Sequence, residues 1–264
     1  VNAMYPRLVF DLETIPDAHG IRQLMQLDPA LSDAEVVEIA QRERLAQSGT
    51  DFMPLHLQKI IAIGCVFRNK DSFHVKCLGE PGDDEASLIR SFYKVIDHYV
   101  PVLISWNGSG FDLPVLHYRA MIHGIPSLRY WDRGEEDRSF QYNNYLNRYH
   151  DRHTDLMDVL ATYNARANAP LDQLAKLCGF PGKLGMDGSQ VWPCYQNGGI
   201  DEIRAYCETD VVNTWLMYLR YLLLTCEFDQ AAYERELRLV YDSLTALGER
   251  APWPEYLAEW RYPA

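Results

Sequence analysis

The fold of this chain is decided by the stretch Leu8-Val9-Phe10-Asp11-Leu12-Glu13-Thr14-Ile15-Pro16. Its first three residues are aliphatic or aromatic, which predicts a strand buried on both faces near the middle of a sheet. Side chains alternate along a strand, so Asp11 and Glu13 point to the same side, with their Cα atoms about 6.5 to 7 Å apart. Leu12 then points into the core, and Pro16, which has no N–H group, lets the chain leave the sheet.

The two carboxylates of this strand are the first candidates for a functional site. Placing both on one side of a buried strand end is electrostatically unfavourable unless a positive charge lies between them. On its own, an Asp-x-Glu pattern is more often a solvated strand end than a metal site. The interpretation therefore depends on whether other carboxylates reach the same place.

The composition is ordinary for a soluble globular protein, with 47% hydrophobic and 23% charged residues. The length of 264 residues suits one large domain or two small ones. The formal net charge is -12, from 25 basic and 37 acidic residues, and argues against broad clamping of duplex nucleic acid. It leaves open a local groove, or a substrate phosphate bridged to the protein by divalent cations.

The cysteine pattern and the terminal segments bear on where the protein works. The six cysteines form no C-x-x-C pair, and nothing before the first strand has the character of a signal peptide. We therefore expect reduced, mostly buried thiols in a cytoplasmic protein. Residues 1–3, before Met4, resemble the remnant of an expression tag. The apolar stretch 211–226 carries Asn213 and Arg220 and falls short of a membrane span, so no membrane partner is expected.

Periodicity along the chain predicts an α/β fold with a mixed sheet. After the first strand, the predicted strands are residues 60–67 and 73–78, joined as a hairpin, and residues 102–106. The predicted helices are residues 33–42, 85–99, about 113–123, 156–163, 171–177, about 201–226 and about 229–247. Residues 129–153 and the Gly-rich residues 180–188 are predicted to be loops, and a Pro-Trp tail ends the chain.

The pattern of elements predicts a single domain, residues 4–264, because no linker is long or polar enough to divide it. Residues 17–58 are predicted to be a helical insertion packed beside the sheet. Within it, Ser32 or Asp33 can cap the helix and Gly49 can end it. Residues 228–264 are predicted to be a C-terminal helical extension.

A second candidate lies where the strand ending at Trp106 passes through Asn107-Gly108-Ser109-Gly110-Phe111-Asp112 into a helix. Ligands bind in such strand-to-helix crevices of open α/β sheets. Taken alone, however, the segment favours Asp112 as an ordinary helix N-cap. The alternative is that the glycines bring the backbone close to a phosphate, with Asn107 as a neutral donor and acceptor.

A third candidate is Tyr206-Cys207-Glu208-Thr209-Asp210 on the penultimate long helix. Tyr206 and Asp210 are four residues apart, so they share one helical face and can reach one point in space. A solvated Asp beside a core Tyr is the usual explanation of such spacing. The three candidates together supply four carboxylates and a phenol from three separate elements.

In this order, the three segments resemble the DEDD 3′-5′ exonucleases in their tyrosine-containing branch. The resemblance is to the predicted stand-alone exonucleases related to the proofreading domain of family B DNA polymerases. It rests on Phe10-Asp11-Leu12-Glu13-Thr14, Ser105-Trp106-Asn107-Gly108-Ser109-Gly110-Phe111-Asp112-Leu113-Pro114 and Tyr206-Cys207-Glu208-Thr209-Asp210-Val211-Val212-Asn213-Thr214. Supporting stretches are Asp155-Leu156-Met157-Asp158-Val159-Leu160 and Gly182-Lys183-Leu184-Gly185-Met186-Asp187-Gly188. It extends from about Met4 to Leu224, with no specific match beyond Phe228.

The resemblance implies a ribonuclease-H-like fold, in which a mixed five-stranded sheet is flanked by helices and carboxylates converge at its edge. It also implies two divalent ions, and oxygen ligands favour Mg²⁺ or Mn²⁺ over zinc. By this analogy Asp11 bridges both ions, Glu13 and Asp210 complete the site of the ion that activates water, and Asp112 serves the second ion. Tyr206 is then expected to position the attacking water.

The expected substrate is the 3′ end of single-stranded nucleic acid, with DNA favoured over RNA and a nucleoside 5′-monophosphate as product. The resemblance implies that Thr14, Asn107, Phe111 and Lys183 contact this substrate. An aromatic and basic wall is a further expectation, from Arg129, Tyr130, Trp131, Arg133, Arg138, Tyr142, Tyr145 and Arg148, and Lys183 with Gln190 could form another wall. An ordinary wet loop explains these residues at least as well.

Two other functions remain open at the level of sequence. One is an exoribonuclease or oligoribonucleotide-degrading enzyme with the same ions, distinguished only by contacts to the 2′-hydroxyl. The other is a catalytically idle nucleic-acid-binding module, which has no physical reason to keep four mutually repelling carboxylates. A separate metal site at His150, His153, Asp155 and Asp158 is not expected, because their spacing fits no zinc pattern.

Overall fold

The structure is a computed structural model that describes residues 6–260 and 262. The predicted tag remnant, residues 1–3, lies outside these residues. Among them, no helix has the length and apolar character needed to cross a membrane. All six cysteines lie in the described part of the chain and are free thiols.

Five strands form one mixed sheet. They are β1 (Arg7–Pro16), β2 (Gln58–Arg68), β3 (Phe73–Cys77), β4 (Val102–Ser105) and β5 (His153–Asp155). Their order across the sheet is β3-β2-β1-β4-β5. β1 runs antiparallel to β2 and parallel to β4, β2 and β3 form the predicted antiparallel hairpin, and β4 runs parallel to β5. The strand predicted to be central therefore is central, and the predicted mixed five-stranded ribonuclease-H-like sheet is confirmed.

Ten α-helices of the described residues flank this sheet or follow it. They are α1 (Ala18–Met25), α2 (Asp33–Ser48), α3 (Glu85–Tyr99), α4 (Asp112–His123), α5 (Leu156–Leu160), α6 (Leu171–Leu177), α7 (Val191–Gln196), α8 (Ile200–Leu224), α9 (Gln230–Thr245) and α10 (Trp253–Glu259). The predicted helices match α2, α3, α4, α5, α6, α8 and α9, with shifts at their ends. The helices that sequence patterns missed, α1, α7 and α10, have six to eight residues each, too few for a clear apolar period.

Alternate residues of β1 pack into two hydrophobic cores on opposite faces of the sheet. Val9 joins the core formed with α8, α9 and α10, where Trp215 and Trp253 are almost fully buried. Leu8, Phe10 and Leu12 join the core formed with α3 and α4. This alternation explains why residues 8–10 of β1 are all apolar, and it confirms that Leu12 points inward.

Residues 17–58 contain α1, α2 and a 3₁₀ turn at Leu55–Leu57 between β1 and β2. Ser32 caps α2 in a capping box with Glu35, and Gly49 ends the helix in the left-handed conformation, with φ +75°. The segment has its own apolar core, which includes Ile21, Val36 and Val37. The helices of residues 17–58 therefore pack around a small core that is distinct from the two cores of the sheet.

The predicted loop at residues 129–153 is irregular except for a 3₁₀ turn at Arg138–Gln141 and the start of β5. β5 was missed because a strand of three residues shows no period. Its place is decided by its partner, since Leu103, Ile104 and Ser105 of β4 pair with its residues His153–Asp155.

Candidate active site

The carboxylates of β1 meet a helix from the far end of the chain. Asp11 is half-buried and Glu13 is buried. Their carboxylate oxygens and the Sγ atom of Cys207 on α8 all lie within 4.8 Å of one another. A register shift with β2 follows Glu13 directly, between Glu13 and Thr14. The end of β1 therefore delivers two carboxylates to the surface of α8.

Gly64 on β2 allows this close approach of helix and sheet. It pairs with Asp11 across the β1–β2 ladder. A Cβ atom at this position would lie 2.7 Å from Cys207 Sγ and 3.0 Å from its carbonyl oxygen, so any side chain would push α8 away. With glycine there, α8 lies near enough to place Tyr206 and Asp210 beside Asp11. The prediction that Tyr206 and Asp210 share one face is confirmed.

Asp112 is not the helix cap that its segment alone favours, so that prediction was wrong. Phe111 occupies the N-cap position, and Asp112 is the first residue of α4, with a side chain only 3% exposed. Its Oδ1 atom accepts a hydrogen bond of 2.8 Å from the backbone N–H of Leu12, between Asp11 and Glu13. The carboxylate thus turns toward β1, because a buried peptide donor there needs an acceptor.

Asp155, at the end of β5, holds the turn that precedes Asp112. Its carboxylate accepts hydrogen bonds of 2.9 Å from the backbone N–H groups of both Asn107 and Ser109. Asn107 adopts a left-handed backbone conformation, with φ +66°. Sequence reasoning gave Asp155 no such role, although Asp155 stands in a stretch that supports the family resemblance. The available signal was its place in that stretch, directly before the helix predicted over residues 156–163.

Lys183 provides the positive charge that the carboxylates need. Its ammonium group lies 3.3 Å from an Asp210 carboxylate oxygen and donates a hydrogen bond to the Tyr206 hydroxyl. Its backbone N–H donates to Asp172 on α6, at 2.7 Å. Sequence reasoning missed Asp172, which has no motif around it.

These residues line one open cleft with a volume of about 370 Å³. The residues that line it are Asp11, Leu12, Glu13, Trp106, Asn107, Phe111, Asp112, Met157, Pro170, Leu171, Asp172, Lys183, Tyr206 and Asp210. Eight of the nine predicted site residues are therefore together. Thr14 is not among them, because its hydroxyl donates to Gln58 Oε1 at 3.0 Å on the far side of the register shift.

Crowding of the carboxylates disfavours their charged forms. Burial raises the pKa of Asp11 well above its usual range, and the charges of Asp112 and Asp210 raise it further. Burial, with the charge of Asp11, also raises the pKa of Glu13. Burial raises the pKa of Asp112 to about 7. For Asp210, burial raises the pKa, although Lys183 acts in the opposite direction.

The donor set fits divalent cations with oxygen ligands. Asp210 Oδ1 is buried and has no hydrogen-bond partner within the described part of the chain. Such an atom is unfavourable in a folded protein unless an ion, a water molecule or a ligand satisfies it. Five carboxylates, those of Asp11, Glu13, Asp112, Asp172 and Asp210, and no imidazole line the cleft, which favours Mg²⁺ or Mn²⁺.

Comparison with known families agrees with this geometry. A sequence model for predicted 3′-5′ exonucleases related to the exonuclease domain of PolB matches residues 50–260. The chain belongs to this exonuclease family. The match contains Asp112, Tyr206 and Asp210, begins after β1, and continues through residues 229–260, for which the sequence had shown no specific resemblance. No curated protein matches the chain significantly.

The wall expected from residues 129–148 does not form part of the cleft in this exonuclease family member. Tyr130 and Tyr145 are buried and stack on each other in the core, so that expectation was wrong for both. Arg129 faces Asp132, and Arg148 pairs with Asp158. Among the described residues, Lys183 is the basic residue that lines the cleft.

The residues His150, His153, Asp155 and Asp158 make hydrogen bonds that hold neighbouring strands and turns. His153 Nε2 lies 2.8 Å from Ser105 Oγ. His150 Nδ1 accepts from the backbone N–H of Asn144 at 2.9 Å. Gln190, expected to form a second wall with Lys183, is instead part of a capping box with Asp187.

Proposed function

We propose that this member of the exonuclease family is a two-metal-ion 3′-5′ exonuclease. It removes nucleotides from the 3′ end of single-stranded DNA and releases nucleoside 5′-monophosphates. The observation that carries the proposal is the convergence of Asp11, Glu13, Asp112 and Asp210 in one cleft, with an unpartnered buried oxygen on Asp210.

Asp11, Glu13, Asp112 and Asp210 would hold the two ions, Mg²⁺ or Mn²⁺. Bound divalent ions supply an activated water and stabilise negative charge on the attacking and leaving oxygens at phosphorus. Neutralising the four carboxylates also removes the repulsion that raises the pKa of Asp11 and Glu13 in the metal-free protein. The four carboxylates would therefore bind the substrate phosphate only through the ions that they hold.

Tyr206 and Lys183 are the chain's own groups for orienting the reactants. Burial, together with the charge of Asp210, raises the pKa of Tyr206, so its hydroxyl keeps its proton and acts as a donor to water or to a phosphate oxygen. Burial alone would lower the pKa of Lys183, but the charge of Asp210 raises it, so the ammonium group stays charged. This charge is available to a phosphate oxygen in the cleft.

Asn107 and Phe111 would hold the terminal nucleotide. Both line the cleft on the side of Asp112, where an amide can bond to a base or sugar and a half-buried ring can stack on a base. Thr14 lies outside the cleft and donates its hydroxyl proton to Gln58, so the proposal assigns it no contact with the substrate.

The test uses Asp11→Ala and Asp210→Asn, with Asp242→Asn as the matched control. Asp242 is exposed on α9, away from the cleft. Release of mononucleotides from a single-stranded DNA labelled at its 5′ end should fall at least about 100-fold in both cleft variants and stay unchanged in the control. Full activity in both cleft variants would overturn the proposal.

The same variants separate catalysis from simple binding. Mn²⁺ at about 100 times its Kd should stabilise the wild-type protein by about 2.7 kcal/mol against unfolding, and should stabilise Asp210→Asn less.

DNA and RNA strands of equal length, offered in competition, decide which sugar is preferred. Oligonucleotide binding without Mn²⁺-stimulated cleavage would instead identify an idle binding module.

A further inference from the structure

A buried chain of hydrogen bonds joins the loop that carries Lys183 to α8. Asn213 lies on α8, three residues after Asp210, and is completely buried. Its Nδ2 atom donates to the carbonyl oxygen of Gly182 at 2.8 Å, and its Oδ1 atom accepts from the N–H group of Gly182 at 3.3 Å. One side-chain amide thus pairs with both polar groups of the residue that precedes Lys183.

Both the backbone conformation and the lack of space at position 182 require glycine. Its φ is +71°, and a Cβ atom there would lie 2.5 Å from Asp172 Oδ1. The same Asp172 oxygen accepts from the Lys183 N–H. Asn213 and Asp172 therefore hold the two consecutive residues Gly182 and Lys183 from two different helices.

The chain of hydrogen bonds continues from Asn213 to Tyr256 of helix α10. The Tyr256 hydroxyl donates to Asn213 Oδ1 at 2.7 Å, and Tyr256 is completely buried. α10 is anchored in the core by Trp253 and Trp260. Just before α10, Arg250 pairs with Glu208 of α8 at 2.7 Å. The C-terminal segment therefore contacts α8 on both sides of Asp210.

Asn213 Oδ1 accepts two hydrogen bonds, and the one from the Tyr256 hydroxyl is shorter than the one from the Gly182 N–H group. Without it, this buried acceptor keeps only the 3.3 Å bond from Gly182, and a buried polar atom with a poor partner favours rearrangement. Any rotation of the Asn213 amide changes both bonds to Gly182. Because Lys183 follows Gly182 directly, its ammonium group would then lose its fixed place beside Tyr206 and Asp210.

We propose that Tyr256 of the C-terminal helix is a positioning residue for Lys183, acting through Asn213 and Gly182. The effect on catalysis rests on the proposed exonuclease function, whereas the effect on the loop does not. The C-terminal segment thereby contributes to the active site without touching the cleft.

The test compares Tyr256→Phe with Tyr93→Phe in the metal-free, full-length chain. Tyr93 is equally buried, and its hydroxyl has no hydrogen-bond partner in the described ranges 6–260 and 262. Amide hydrogen exchange of residues 182–184 should become about five-fold faster in Tyr256→Phe, the effect of losing one ordinary hydrogen bond, and should be unchanged in Tyr93→Phe. Exchange in β1 should be unchanged in both, which excludes general unfolding.

A double-mutant cycle then tests the route through Asn213. In an Asn213→Ala background, Tyr256→Phe should have no further effect on exchange of residues 182–184. In the wild-type background, Tyr256→Phe should lower kcat for nucleotide release about five-fold, because the Lys183 ammonium group loses its fixed place while the carboxylates keep theirs. Unchanged exchange in Tyr256→Phe, or equal acceleration in Tyr93→Phe, overturns the inference. A wild-type protein without nuclease activity would overturn the proposed function while leaving the exchange result to judge the positioning role.

Discussion

At the scale of single residues, His153 shows how burial controls the protonation of a supporting side chain. It opens β5 and is 5% exposed, with its Nε2 atom 2.8 Å from Ser105 Oγ. Burial lowers the pKa of His153 to about 4 from an ordinary value of 6.5, although Asp155 and Asp158 act in the opposite direction. The folded protein therefore binds fewer protons here than the unfolded chain does between these two pH values.

This difference predicts the pH dependence of stability. The contribution of neutral His153 is complete above pH 6.5 and is lost as the pH falls toward 4. In His153→Gln, which keeps a polar atom near Ser105, the free energy of unfolding should fall by roughly 2 kcal/mol less between pH 7 and pH 4.5 than in the wild type. Chemical denaturation at both pH values measures the difference.

The control for this prediction is His74→Gln, since His74 is exposed on β3. Its pH dependence of unfolding should match that of the wild type. If His153→Gln also matched the wild type, His153 would not be held neutral by burial, and the explanation would be wrong.

At the scale of elements, the insertion of residues 17–58 supplies an aromatic ring near the cleft. The side chain of Phe52 is 53% exposed, and its ring centroid lies 6.0 Å from that of the cleft residue Phe111. Its segment is tied to β1, because Gln58 accepts from Thr14 and donates to the carbonyl oxygen of Met53 at 2.9 Å. The insertion thus extends the aromatic surface at Phe111.

Phe52→Ala should weaken binding of single-stranded oligonucleotides with little change in stability. Stacking of one base on an aromatic ring contributes about 1 to 3 kcal/mol, so the Kd should rise at least about five-fold. Fluorescence anisotropy with a labelled oligonucleotide under non-cleaving conditions measures it. Leu45→Ala is the matched control, because Leu45 is similarly exposed, at 54%, on α2 of the same insertion. Equal Kd values for both variants would show that Phe52 does not contact the strand.

At the scale of the whole molecule, Arg119 connects the insertion to the main body behind the cleft. It lies on α4, the helix that begins with Asp112, and its side chain is 4% exposed. Its guanidinium binds Glu85 of α3 through two hydrogen bonds, of 2.8 and 2.6 Å, and binds Asp17 at 2.7 Å. Asp17 directly follows β1, so three parts of the fold share this one cation.

Arg119→Met should lower the free energy of unfolding by about 3 to 5 kcal/mol, because it leaves two buried carboxylates without their cation. Urea denaturation measures the loss. The control is Arg42→Met, which removes an exposed pair with Glu38 on α2 and should change stability by no more than about 0.5 kcal/mol. A small effect of Arg119→Met would show that the guanidinium is not needed to stabilise the two carboxylates.

The sequence by itself determined the elements whose signals are local. β1 was recognisable because an apolar run is followed by alternating carboxylates, and α2 because Ser32 and Gly49 carry the cap and stop signals. The four carboxylates and Tyr206 were identified from motifs on three elements, and the cleft contains all five. Residue type and short spacing suffice for these features because each depends on neighbours within a few positions.

Only the tertiary structure decided how those elements meet. Asp112 turned out to bond to Leu12, a hundred positions away, rather than to cap its own helix. Asp155, Asp172 and Asn213 hold backbone groups of the site, and none belongs to a pattern that predicts this. Such contacts depend on how closely α8 packs on the sheet at Gly64, and on which buried donor finds which acceptor. These contacts join residues that are far apart in the sequence, so no local sequence pattern predicts them.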